Sequence, residues 1–202
     1  MPEKAGLTYR DAGVDIDAKT GVFQRIKGLV QSTATAAVLA DMGAFGGTYS
    51  LAPLTGARQA LVASADSIGT KVRVARMVGR HDTIGLDIVH HCANDILVQG
   101  ARPLFFLDTI TMSRLDPAVI EALITGLANA CRALDCALLG GETAELPGFC
   151  PPEEYDLVGF IVGAVAEEDV PDPASVRRGD VVLGLPSSGL HTNGYSLARK
   201  VF

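Results

Sequence analysis

The chain has 202 residues, 48% of them hydrophobic and 20% charged, which excludes a disordered polymer and leaves room for one large domain or two small ones. A net charge of −6 with no run of Lys or Arg excludes a broad electrostatic footprint for DNA or RNA. The opening residues lack the apolar core of a signal peptide, and the longest apolar run, residues 157–166, falls far short of the ~20 residues that span a bilayer.

Residues 1–20 are polar and rich in Gly and Asp, and read as a flexible arm. Apolar residues at Val22, Ile26, Leu29 and Val30 predict a helix over residues 22–39. A short segment opened by Gly46 and Gly47 follows, then a strand at residues 60–65. Two helices are expected next. The first is capped by Asp82 and runs to about Gln99; the second is capped by Asp116, with Pro117 in the first helical position where its missing N–H is harmless. Ile120, Leu123, Ile124, Leu127, Cys131 and Leu134 keep helical spacing in the second.

Residues 104–107, 137–139, 157–165 and 181–185 read as strands. Their apolar character is continuous rather than alternating, which predicts cover on both faces. The order of elements gives an α/β or α+β layer of helices against a sheet. The four cysteines include no C-x-x-C pair; Cys92 and Cys131 fall on apolar helix faces, as small hydrophobes do, and a reduced, cytoplasmic protein is expected. The last residues, 194–202, fall in a helical pattern.

Each apolar run gives way at its C-terminal end to polar residues: 60–65 to Asp66 and Lys71, 104–107 to Asp108, 137–139 to Glu142, and 181–185 to Ser187 and His191. Ligand sites in open α/β sheets gather at such ends. A P-loop is absent, because Ser64 stands where its first glycine belongs, and the spacing of Gly43, Gly46 and Gly47 does not fit a dinucleotide fingerprint. On the first predicted helix Asp87, His91, Asn94 and Asp95 share one face. Such a stripe is either a hydrated outer face or a set of hard oxygen donors suited to Mg²⁺. His90 and His91 read as structural, since zinc would need further soft ligands.

Several stretches, in order, resemble the aminoimidazole ribonucleotide synthetases: YRDAGVDI at 9–16, RIKG at 25–28, DSIGTK at 66–71, GLD at 85–87, ND at 94–95, QGA at 99–101 and PLFFLD at 103–108. GGETAE at 140–145 with Pro147 and Gly148, and SSGLHTNGYSL at 187–197, complete the set. The resemblance implies a four-stranded mixed sheet flanked by helices, with the sheets of two subunits joining into a barrel in a homodimer. It implies ATP and Mg²⁺ as cofactors and a small ribonucleotide as substrate. It implies ring closure of formylglycinamidine ribonucleotide to aminoimidazole ribonucleotide, with ADP and phosphate released.

By position, Asp66 and Asp95 are the implied metal-phosphate ligands, with Glu142 a third carboxylate near the chemistry. Lys27, Thr70, Lys71 and Asn94 are implied on the nucleotide side, and His191 and Asn193 on the substrate side. Ser67 and Ile68 stand where the family more often has Gly-Val. Residues 21–170 are expected to be the ATP-binding and dimerisation domain, and residues 171–202 the start of the connection to a second domain that the family carries. Two alternatives stay open: a nucleotide-binding, dimerising fragment without turnover, and another ATP-using relative. Selenophosphate synthetase among these favours a reactive Cys in the N-terminal arm, and residues 1–20 have none.

Overall fold

The apolar run of residues 155–166 becomes the middle strand of a five-stranded mixed sheet in the computed structural model, which describes residues 6–40 and 43–202. Residues 1–5 of the expected arm lie outside the described residues. The strands are β1 (Gly47–Ser50), β2 (Gln59–Ser67), β3 (Arg102–Met112), β4 (Ala137–Glu145) and β5 (Tyr155–Ala166), in the spatial order β1-β2-β5-β3-β4. β5 runs antiparallel to both β2 and β3, β1 antiparallel to β2, and β4 parallel to β3. The helices are α1 (Ile16–Gln31), α2 (Ala52–Thr55), α3 (Val72–Val78), α4 (Asp82–Leu97), α5 (Pro117–Ala133) and α6 (Tyr195–Val201). The α/β class stands, with one strand more than the four expected: β1, too short to carry a pattern of its own.

α5 begins as its sequence dictates, with the Asp116 carboxylate accepting from the N–H groups of Ala118 and Val119 at 3.0 and 3.3 Å. α4 departs by one residue. His81 occupies the N-cap, and Asp82 is already helical, its carboxylate accepting from the Arg80 guanidinium at 3.1 Å. α1 departs further: it runs from Ile16 to Gln31 rather than over residues 22–39, because Asp15 caps it by accepting from the Ala18 N–H. The helix therefore starts inside the expected arm.

α4 and α5 lie on one side of the sheet, and two glycines set how closely they cross. A Cβ on Gly85 would come within 2.1 Å of the Leu123 carbonyl oxygen, and one on Gly126 within 1.9 Å of the Asp82 carbonyl oxygen. Backbone touches backbone there, which no larger residue permits. Ile88 and Ile96 from α4 and Leu123 and Leu127 from α5 are then fully buried in one core with Phe106, Ile110, Leu157 and Ile161 from the sheet. Each such side chain contributes about 1.5–3 kcal/mol on burial. Cys92 and Cys131 join that core as free thiols, and burial pushes both up to about 12.

Within this chain the helices cover one face of the sheet: Leu107, Thr109, Val158 and Phe160 pair across the other face, where Phe160 is 38% exposed. One expectation about strands is corrected. Residues 181–185 form no strand. Val182 and Leu185 are 93% and 97% exposed, because no strand among the described residues pairs with them and no helix covers them.

Candidate functional site

Successive residues of a strand point to opposite sides, so Ser64 and Asp66 of β2 share a side, and it is the side that α4 covers. On α4, Asp87, His91 and Asp95 stand four apart and so line one stripe. The two rows meet. The Ser64 hydroxyl donates to Asp95 Oδ2 at 2.7 Å, and His91 Nε2 lies 2.7 Å from Asp66 Oδ2. One turn earlier, Asp87 Oδ2 lies 3.0 Å from Lys71 Nζ. The stripe is turned toward β2 rather than toward bulk water.

Lys71 closes a 3₁₀ turn, Gly69–Lys71, that leaves the end of β2 through a left-handed Gly69 with φ of 65°. Its side chain is 6% exposed. Nζ stands at ion-pair distance from Asp87 and has no aligned hydrogen bond among the described residues, so it has donors to spare. A buried ammonium in that state is short of oxygen partners, and a phosphate would supply them. Lys71 lines a cleft of about 370 Å³ whose other walls include Tyr9, Gly69, Thr70, Asn193 and Ser196. Thr70 and Ser196 share a hydroxyl–hydroxyl hydrogen bond of 3.0 Å, and the Tyr195 ring centroid lies 6.0 Å from Lys71 Nζ.

Thr70, Lys71 and Asn193 thus line the cleft at the end of β2, while Asp66 and Asp95 lie along the seam between β2 and α4. Lys27 is exposed on α1, a helix with no buried residue, and does not line the cleft. Asn94 is beside Asp95 in sequence but exposed. His191 sits in an exposed loop, its Nε2 3.4 Å from the hydroxyls of Ser187 and Ser188. Glu142 pairs with Thr109, which puts it on the uncovered face of β4, with two strands between it and β2. Within this chain neither joins the cluster. Sequence reading passed over Ser64 as a site residue, read His91 as structural, and noted Asp87 in the stripe without a role of its own. The signals were present: Ser64 is two before Asp66 in a strand, and the other two belong to the stripe already noted.

Comparison with known proteins gives the chain's family. Residues 36–165 match the family described as AIR synthase related protein, N-terminal domain. A phosphoribosylformylglycinamidine cyclo-ligase of Geotalea daltonii is 52% identical over 198 residues, covering 98% of this chain. The chain spans 57% of that relative's length. Among solved structures, Thermotoga maritima PurL complexed with ADP superposes with a TM-score of 0.57 at 18% identity, over 76% of this chain and 25% of that one. AaThiL complexed with AMPPCP and TMP gives 0.56 at 15% identity, over 76% and 44%. The two share the fold. By the extent of the family match and the identity to the cyclo-ligase, the chain belongs to the AIR synthase related family, as its N-terminal domain.

Proposed function

We propose that this chain supplies the nucleotide-binding part of an ATP-dependent cyclo-ligase, which closes formylglycinamidine ribonucleotide to aminoimidazole ribonucleotide in purine biosynthesis. The observation that carries the reading is Lys71: a buried ammonium whose charge partner is Asp87 alone, on the wall of a cleft at the end of β2. The 52% identical cyclo-ligase names the reaction, and two fold relatives solved with ADP or AMPPCP support a nucleotide as ligand.

Asp66 and Asp95 fit Mg²⁺, because two carboxylates are the share a protein gives to this ion while phosphates and water complete its shell. The ion would neutralise charge on the phosphates during transfer. Lys71 would bind a phosphate oxygen, with the Thr70 hydroxyl beside it. The formyl oxygen of the substrate takes the γ-phosphoryl group and becomes a leaving group. The amidine nitrogen then attacks that carbon, phosphate departs, and the ring is closed. Holding both ends of one molecule in register supplies much of the rate.

Residues 21–170 would form the nucleotide-binding unit and residues 171–202 lead onward from it. A homodimer would bury the uncovered sheet face of Leu107, Val158 and Phe160 against its equivalent, closing the barrel; light scattering measures this directly. Among the described residues no helix is long and apolar enough to cross a membrane. A biosynthetic role on soluble nucleotides favours the cytoplasm. A second reading has its own observation: His191 and Glu142 stand away from the cleft, which favours binding without turnover in this chain.

A thermal-shift series tests both. Ligand that binds only the folded state stabilises it by about 2.7 kcal/mol at a hundredfold excess over Kd. Mg·ATP should raise Tm with concentration, beyond Mg²⁺ or GTP alone, while aminoimidazole ribonucleotide stays at background in the same sample. No Mg·ATP shift at millimolar nucleotide would remove the proposed site. Rapid ring closure would remove the second reading.

A further inference from the structure

We propose that His91 is a positioning residue for the Asp66 carboxylate, an inference that rests on Asp66 serving as a cation ligand. His91 lies on α4 between Asp87 and Asp95, one turn from each, with its side chain 11% exposed. Its Nε2 is 2.7 Å from Asp66 Oδ2, a charge-assisted distance for an N–H donor to a carboxylate. Nδ1 is buried and has no hydrogen-bond partner. The ring's polar contact is therefore with Asp66.

A side chain needed only to fill this space has no reason to be polar. Ile88, Cys92 and Ile96 on the same helix are buried and apolar, whereas His91 brings a buried nitrogen that goes unpaired. The return is control of Asp66. Asp66 Oδ1 accepts from the Ser67 N–H at 2.8 Å and Oδ2 lies 2.7 Å from His91 Nε2, so each oxygen has one close neighbour that restrains the carboxylate plane. The Asp66 side chain is still 40% exposed, which leaves its outward lone pairs open to a ligand. A buried imidazole edge restrains a carboxylate from one side. Lysine or arginine in its place would compete with the cation for the same oxygens.

The test is Mn²⁺ binding by the protein with ATP at pH 8, followed by electron paramagnetic resonance. His91→Met keeps the volume and removes the donor, and should weaken Mn²⁺ about tenfold, the lower end for loss of a partner behind a metal ligand. His91→Gln restores an N–H donor, and should hold Mn²⁺ affinity within about threefold of the parent. Equal affinity in parent and His91→Met would overturn the proposal, as would equal losses in Met and Gln variants. Asp66→Asn separates this from the underlying reading: if it binds Mn²⁺ like the parent, Asp66 is not a ligand and both fall. If it weakens binding while His91→Met does not, His91 alone loses its role. One readout needs no folded variant. In the parent, the His91 Nε2–H resonance should be protected from exchange and broadened by Mn²⁺ with ATP, and an unaffected resonance overturns the proposal.

Discussion

Residues 155–166 and residues 181–185 are runs of similar apolar character, and they end in opposite environments. In the first, Leu157 and Ile161 are fully buried between two neighbouring strands and under α4 and α5. In the second, Val182 and Leu185 are almost wholly exposed, and the segment takes no strand form. The difference lies in partners, not in propensity. A strand forms where a neighbour accepts from its N–H groups and donates to its C=O groups, and a layer covers its side chains. β5 has β2 and β3 on either side; residues 181–185 have neither among the described residues.

The most severe way to break this contrast is at the crossing of α4 and α5. Gly126→Ala places a methyl 1.9 Å from the Asp82 carbonyl oxygen and forces the helices apart over the whole covered face. Overpacking of this kind, against backbone rather than a pliable side chain, should cost about 3 kcal/mol or more. Val182→Asn, in the exposed segment, should change stability by no more than about 0.5 kcal/mol. Urea denaturation of both variants checks the pair. Similar losses at the two positions would mean that residues 181–185 are packed in solution.

A smaller effect is expected at the boundary between packed core and open cleft. Lys71→Met removes the buried ammonium while keeping an unbranched apolar stem against the same walls. If Lys71 binds a phosphate, the loss of a hydrogen bond to a charged group, about 1.5–3 kcal/mol, should weaken Mg·ATP by roughly 10- to 100-fold. The unliganded variant should melt close to the parent, because Asp87, left unpaired, is 39% exposed and can hydrate. Calorimetry that finds unchanged Mg·ATP affinity would reduce Lys71 to a structural ion pair.

What the sequence made legible follows the same division. α5 could be read to the residue because its Asp116 cap and Pro117 start are local signals. β1 could not, because four residues hold their place through β2 rather than by pattern. The stripe of Asp87, His91 and Asp95 was legible from helical spacing, but its direction was not. Only the meeting of α4 with Ser64 and Asp66 decides between a hydrated face and a site. Likewise, Lys27 and Lys71 are equal as letters, and tertiary placement leaves one exposed and the other buried.

The smallest expected effect concerns a carboxyl on the packed side. Asp108 of β3 is 6% exposed, between Phe106 and Ile110 on the face that the helices cover. Unlike Asp66, which accepts from the Ser67 N–H and lies against His91, it is governed by burial, which raises its carboxyl above the usual 3.8. A hydrogen bond from its own backbone N–H opposes that shift without reversing it. The sign follows from linkage. In the window above 3.8 the folded state holds this proton more tightly than the unfolded chain does, so folding is most favoured at the acid end and loses stability as pH rises through the folded value. Asp108→Asn keeps the shape and removes the titration. Its Tm minus that of the parent should therefore grow more positive from about pH 4 to pH 7, while every other titrating group cancels in the difference. A difference that stays flat over this range would show that water or a neighbouring donor already satisfies the Asp108 carboxylate. The packed face would then tolerate a charge as readily as the cleft does.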